Sequence, residues 1–151
     1  MQKIIVSDTS CLILFHKIGE LELLQKVFGE IIITETVYRE FKRPIPKWIQ
    51  VLNPSTNLHF GLQGFLDPGE ATSISLATEF KGSLLIIDES KGRKVAKEFG
   101  IAISGSLGVL VTAKNRGVID SVKPIIEKIT QTNFRLSDKL IKKVLQHFSE
   151  E

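Results

Sequence analysis

Four acids stand where a carboxylate can act on a ligand: Asp8, Glu40, Glu70 and Asp88. Asp8 follows the apolar run Ile4-Ile5-Val6 after one serine, and Asp88 directly follows Leu84-Leu85-Ile86-Ile87. Glu40 lies in the amphipathic stretch after Ile31-Ile32-Ile33, and Glu70 follows Asp67-Pro68-Gly69. Two carboxylates about 4 Å apart repel by on the order of 4 kcal/mol at an effective dielectric near 20. Several together would raise one another's pKa and stay protonated unless a divalent cation joined them. Oxygen ligands alone suit Mg²⁺ or Mn²⁺, since Cys11, His16, His59 and His147 are read as lying away from these positions. A cation held by a few carboxylates, with water positions open, is equipped to hydrolyse a phosphodiester.

Bringing such acids together is the task of the elements between them. Residues 4–6, 31–33, 84–87 and 101–103 read as short strands buried on both faces, and 48–53 reads as extended. Helical spacing is expected over 10–17, 21–28, 34–41, 67–80, 90–99, 105–114, 122–130 and 137–148. Residues 54–66 have little periodicity and read as a loop with at most a short irregular segment. Strands alternating with helices build βαβ units, hence a parallel sheet with right-handed crossovers. The carboxyl ends of its strands share one edge, the edge where open α/β sheets bind ligands. Asp8 and Asp88 are therefore expected to meet there.

Each acid also has a structural reading that the sequence leaves open. Asp8 can cap the helix that follows it. Glu70 stands three residues after Asp67, the spacing of a capping box, and both roles can coexist. Asp88 or Glu89 can cap a helix beginning near Ser90. Lys91, Arg93, Lys94 and Lys97 are either a solvated face or contacts for a nucleic-acid backbone, with Lys91 and Arg93 nearest the acids.

The 151 residues suit one domain, large enough to bury about 68–70% of its unfolded surface. With 42% hydrophobic and 25% charged residues, the composition is that of an ordinary globule. A net charge of +3 permits a polyanionic partner without arguing for one. One cysteine excludes an internal disulfide. No apolar run approaches the roughly 20 residues of a membrane span, and Asp8 interrupts the one candidate for a signal-peptide core. A cytoplasmic protein is expected.

Four pieces in order give the chain a family resemblance: Val6-Ser7-Asp8-Thr9-Ser10, Val37-Tyr38-Arg39-Glu40-Phe41, Asp67-Pro68-Gly69-Glu70-Ala71 and Leu85-Ile86-Ile87-Asp88-Glu89. With the later Gly105-Ser106-Leu107-Gly108, the sequence resembles the PIN-domain nucleases, and especially their VapC-like toxin branch. The resemblance covers the chain to about Gly117. It implies a three-layer α/β/α fold with a central parallel sheet of about five strands, and an acidic cleft for Mg²⁺ or Mn²⁺. One domain over 1–151 is expected, with a helical stretch over about 121–149 packing on it or on a dimer partner. The implied activity is metal-dependent endoribonuclease, the toxin of a toxin–antitoxin pair, with RNA as substrate, an antitoxin protein as partner and a homodimer as assembly.

Carried over by position, Asp8 is the central ligand, Glu40 the second acid, Glu70 the third and Asp88 the fourth. Glu70 stands where many relatives have Asp. Ser10 matches a hydroxyl that supports the first acid, and Glu89 is an additional candidate ligand. Cys11 occupies a position where relatives often have proline, and no chemistry is assigned to it. A phosphatase working through an aspartyl phosphate would want an acid two residues after Asp8, where Ser10 stands. No glycine-rich dinucleotide fingerprint follows the first strand. A non-catalytic PIN-like module binding RNA or protein is the remaining alternative.

Overall fold

The computed structural model describes residues 3–151. Short strands alternate with helices in the order β1 (Ile5–Ser7), α1 (Thr9–Lys17), α2 (Leu21–Phe28), β2 (Ile31–Ile33), α3 (Glu35–Phe41), β3 (Ile49–Val51) and α4 (Leu58–Leu62). There follow α5 (Pro68–Thr78), β4 (Leu84–Ile86), α6 (Ser90–Glu98), β5 (Ala102–Ser104), α7 (Ser106–Asn115), α8 (Lys123–Thr130) and α9 (Asp138–His147). The strands form one five-stranded sheet in the order β3-β2-β1-β4-β5, parallel at every pairing. β1 is central, with Val6 opposite both Ile32 and Leu85.

Side-chain alternation splits the sheet residues between two cores. Ile5, Ile31, Ile33 and Ile86 join one hydrophobic cluster with residues of α1, α2, α7 and α8. Val6, Ile32, Leu85 and Ile87 join the other with residues of α5 and α6. Every strand residue of β1 and β2 is buried, because helices cover both faces. The result is the three-layer α/β/α architecture expected from the resemblance.

The chain winds outward from β1 to β2 and β3, then returns across the centre to β4 and β5. The switch in direction lies between β1 and β4, which is where a doubly wound sheet opens a crevice at its carboxyl edge.

The stretch read as a loop contains α4, one turn and a little more. It carries Gly61 and buries only Leu62, so it has no apolar stripe for a periodicity to reveal. β4 stops at Ile86, and Asp88 stands two residues past it; the Ile87 N–H still bonds the Ser104 carbonyl at 2.8 Å.

α8 buries Ile125, Ile126 and Ile129, while α9 buries none of its residues fully and lays Ile141, Val144 and Leu145 on the same cluster. The N-cap of α8 is Val122, which has no capping side chain. Glu150 supplies one from afar. Its carboxylate accepts from Val122 N–H at 3.1 Å, Lys123 N–H at 2.9 Å, Lys114 Nζ at 2.6 Å and the Ser121 hydroxyl. Partial burial works to raise the Glu150 pKa, but the bonds from Lys114, Ser121 and the two backbone amides prevail and bring it down to about 2. An acid with a depressed pKa stabilises the fold above its unfolded value and loses that stabilisation as the pH falls through its folded one. Glu150→Gln is expected to cost roughly 1 kcal/mol, about 2–4 °C in Tm at pH 7. The gap between variant and wild type should close as the pH drops from 4.5 towards 2. Thermal melts across that range test it, and a gap independent of pH would refute the electrostatic part.

Candidate active site

Asp8 is 1% exposed at the carboxyl end of the central strand. Its N–H extends the β1–β4 ladder to the Ile86 carbonyl at 3.1 Å. Oδ1 accepts the Cys11 N–H at 3.0 Å and so caps α1. Oδ2 is buried without a hydrogen-bond partner, one of two such side-chain atoms among the described residues. The two readings of Asp8 are thus divided between its oxygens. Burial pushes its pKa up to about 7; the bonds from Cys11 oppose this, and the charges of Asp88 and Glu70 add to it.

Asp88 arrives from β4 on the other side of the switch point. Its Oδ1 accepts the Ser106 N–H at 2.8 Å, and its Oδ2 accepts the Ser106 hydroxyl at 2.5 Å and lies 3.0 Å from Cys11 Sγ. The N-cap of α7 is Gly105, which has no side chain to cap with, so Asp88 caps that helix from the neighbouring strand. A Cβ on Gly105 would lie 2.6 Å from Asp88 Oδ1, which is why glycine is needed there. Glu89, not Asp88, caps α6, accepting the Lys91 N–H at 3.0 Å.

Glu70 is held at the first turn of α5, where Asp67 Oδ1 accepts its N–H at 2.9 Å. The Asp67 backbone N–H also lies close enough to the Glu70 carboxylate to favour its charged form, the reciprocal contact of a capping box. The carboxylate lies beside α6 as well, 3.7 Å from where a Cβ on Gly92 would stand. Burial raises the Glu70 pKa to about 7, with Asp67, Glu89 and Glu40 adding to it and the bond to Asp67 opposing. Glu40 comes from α3, whose start is fixed by the Thr34 cap and by a buried Thr34–Thr72 bond to α5 at 2.9 Å. Thr9 donates to Glu40 Oε1 at 2.5 Å. A Cβ on Gly69 would overlap both that oxygen and Thr9 Oγ1, so α3 and α5 meet there only across a glycine.

The structure thus brings Asp8, Glu70 and Asp88 near enough for their charges to act on one another at the carboxyl edge of the sheet, with Glu40 and Glu89 acting on Glu70. Among the described residues, no three His, Cys, Asp or Glu side chains stand close enough together to hold a metal ion. Glu40 is turned to Thr9, Asp88 to Ser106 and Cys11, and Glu89 to its own helix. The donor chemistry nevertheless fits a hard divalent cation: oxygens of like charge, one of them buried and unpartnered.

Two expectations need correction. Cys11, read as remote, lies at the centre, buried and against Asp88. Burial, then the charges of Asp8 and Asp88, hold its thiol well above the usual range, so it is an S–H donor. Ser10 is exposed and makes no bond to Asp8 among the described residues; it borders a different hollow with Ile13 and Phe134. Support of the acids falls to Thr9, Cys11 and Ser106. Thr9 and Ser106 belong to the sequence motifs that carry the family resemblance, whereas Cys11 was legible only as a residue three after Asp8, the spacing of a helix cap and its donor. Lys91 is exposed on α6. Arg93 donates through Nη1 to the Ile87 carbonyl at 2.9 Å, which sets its guanidinium beside Asp88.

Fold and site together define an open α/β protein with an acidic crevice at its topological switch point. A family model described as the PIN domain matches residues 4–150. No curated protein matches the sequence. The chain belongs to the PIN-domain family. PIN domains are nuclease-type modules and typically use divalent metals. No helix of the described residues is long and apolar enough to cross a membrane.

A carboxyl whose pKa is raised on folding binds protons more tightly in the folded state. Its penalty is therefore absent below about pH 4 and grows as the pH climbs towards 7. Asn at position 8 keeps the cap on α1 and removes the charge. Asp8→Asn is expected to raise Tm at pH 8, without divalent cations, by roughly 5 °C, and to leave it unchanged near pH 4. Differential scanning calorimetry at both pH values checks this; a variant less stable than wild type at pH 8 would refute it.

Proposed function

We propose that this protein is a metal-dependent endoribonuclease that hydrolyses RNA phosphodiester bonds with Mg²⁺ or Mn²⁺. The observation that carries the reading is the Asp8 carboxylate, buried and half unpartnered, with Glu70 and Asp88 adding their charges to it. Asp8, Glu70 and Asp88 would hold the cation, Glu40 would join them on releasing Thr9, and Glu89 is the most peripheral candidate. Bound there, the cation would supply an activated water and neutralise the negative charge that builds on the phosphate oxygens. Cys11 and Ser106 orient the Asp88 carboxylate through their donors, as outer groups around metal ligands do. Arg93, fixed beside Asp88, is placed to bind a phosphate oxygen, and Lys91 adds positive charge at the same rim.

The resemblance to the VapC-like branch supports a toxin role, a protein antitoxin, a homodimer and a cytoplasmic setting as parts of this proposal. One observation favours a second reading, a non-catalytic PIN-like module that binds RNA or protein: three ligand side chains are not already gathered.

Purified protein is expected to cleave single-stranded RNA with Mn²⁺ and to stop on addition of EDTA. Asp8→Asn should reduce cleavage to background while remaining folded, and Mn²⁺ should raise Tm in wild type but not in that variant. Cleavage that persists in EDTA and in Asp8→Asn would sink the proposal. If calorimetric titration shows no Mn²⁺ site weakened by Asp88→Asn, the non-catalytic module is the correct reading.

A further inference from the structure

A groove of about 510 Å³ leads away from Asp88 between β5, α7 and α9. Ile103, Leu107, Val111 and Leu140 give it an apolar lining, and beyond Asp88 its charged lining groups are both guanidinium, Arg93 and Arg135. Arg93 and Asp88 meet at the same place: a Cβ on Gly105 would lie 2.8 Å from Arg93 Nη1 and 2.6 Å from Asp88 Oδ1. Only Nη1 of that guanidinium bonds to protein among the described residues, which leaves its other N–H groups for a ligand.

The outer wall continues the charge. Arg135, Lys139 and Lys143 recur every fourth residue, so the two lysines fall on one side of α9, beside the Leu140–Val144 side that lines the groove. All three are exposed. Leu140 is 52% exposed although it is large and apolar. A ladder of one sign beside an apolar floor suits single-stranded nucleic acid, with phosphates on the ladder and unpaired bases on the floor. A duplex would keep its bases from that floor. An apolar protein helix would use the floor and leave the cations without partners.

We propose that this groove is the track of the RNA strand adjoining the scissile phosphate, with Arg93 holding the nearest phosphate and Arg135, Lys139 and Lys143 those beyond. The floor has no aromatic side chain, so recognition along it is by charge and aliphatic contact, with little discrimination among bases. The inference rests on the nuclease reading for its substrate, but binding can be measured without cleavage.

The test is fluorescence anisotropy of a labelled oligouridylate of about ten nucleotides, in EDTA, over a series of salt concentrations. Arg135→Ala combined with Leu140→Ala is expected to raise Kd about tenfold and to make the salt slope shallower by about 0.7. Leu140→Ala alone should raise Kd with no change of slope. Lys26→Ala, at the opposite edge of the sheet near Ile5 and Leu84, should change neither. The Mn²⁺-induced rise in Tm should be equal in all of them, since none touches the acids. Unchanged affinity in the double variant, or an equal loss in Lys26→Ala, would overturn the track and leave the groove to a protein partner. Groove-dependent binding by a protein that cleaves nothing in Mn²⁺ would uphold the track and remove the nuclease. Metal-dependent cleavage with binding indifferent to Arg135 and Leu140 would do the reverse.

Discussion

Taking the Asp8 carboxylate out of water at the end of β1 costs free energy, and the acids around it increase that cost. Backbone capping answers for one oxygen, since Oδ1 receives the Cys11 N–H. No hydrogen-bond donor among the described residues answers for the other. A strand buried on both faces must end somewhere, and most such ends turn their polar groups to solvent. Here the chain places a second acid, Asp88, across the crevice, and brings the first turn of α5 over it with a third. The arrangement opposes its own stability, as sites shaped for a ligand commonly do.

The remaining features of the edge follow from that tension. Three glycines allow close approach where a side chain would separate the parts: Gly69 between α5 and Glu40, Gly92 between α6 and Ile87, and Gly105 below Asp88. Gly105 also leaves the start of α7 uncapped, which gives Asp88 a backbone donor as well as a hydroxyl. The same device recurs far away, where Val122 cannot cap α8 and Glu150 reaches back to do so. In both places a carboxylate distant in sequence closes a helix start. The difference lies in the other acids: Asp88 stands close enough to the buried Asp8 for the two charges to oppose each other.

Much of this was legible from residue types alone. β2 and β4 are unbroken aliphatic runs while β1, β3 and β5 carry two apolar residues apiece, and their alternation with helices fixes a parallel sheet whose carboxyl ends share an edge. That was enough to bring Asp8 and Asp88 together. The Asp67-Pro68-Gly69-Glu70 start was equally clear, and its forward bond forms at 2.9 Å, while the Glu70 carboxylate also borders α6. What stayed hidden depends on side-chain direction within a turn. Ser10 and Thr9 are adjacent hydroxyls, and a helix rotates by about 100° between neighbours, so only Thr9 faces Glu40. Cys11 was hidden for a related reason: a buried thiol reads as core until its neighbours across the sheet edge are known. α4 was hidden because one turn carries no period.

Among the carboxylate oxygens at this edge, Asp8 Oδ2 is the one that is buried without a hydrogen-bond partner among the described residues, and this bears on how a cation would enter the proposed site. In the proposed metal site, Glu40 and Asp88 would have to exchange hydroxyl and backbone partners for coordination, and each lost bond would lessen the gain from binding. Asp8 Oδ2 has no partner to lose. Its desolvation has already been met by the folding of the rest, so a cation arriving there relieves a penalty without breaking a hydrogen bond. The first contact is therefore expected to form at Asp8, with the other carboxylates turning afterwards. The donors on Asp88 would then act as a counterweight in the proposed site: they satisfy the carboxylate without an ion, and they would moderate how tightly one was held.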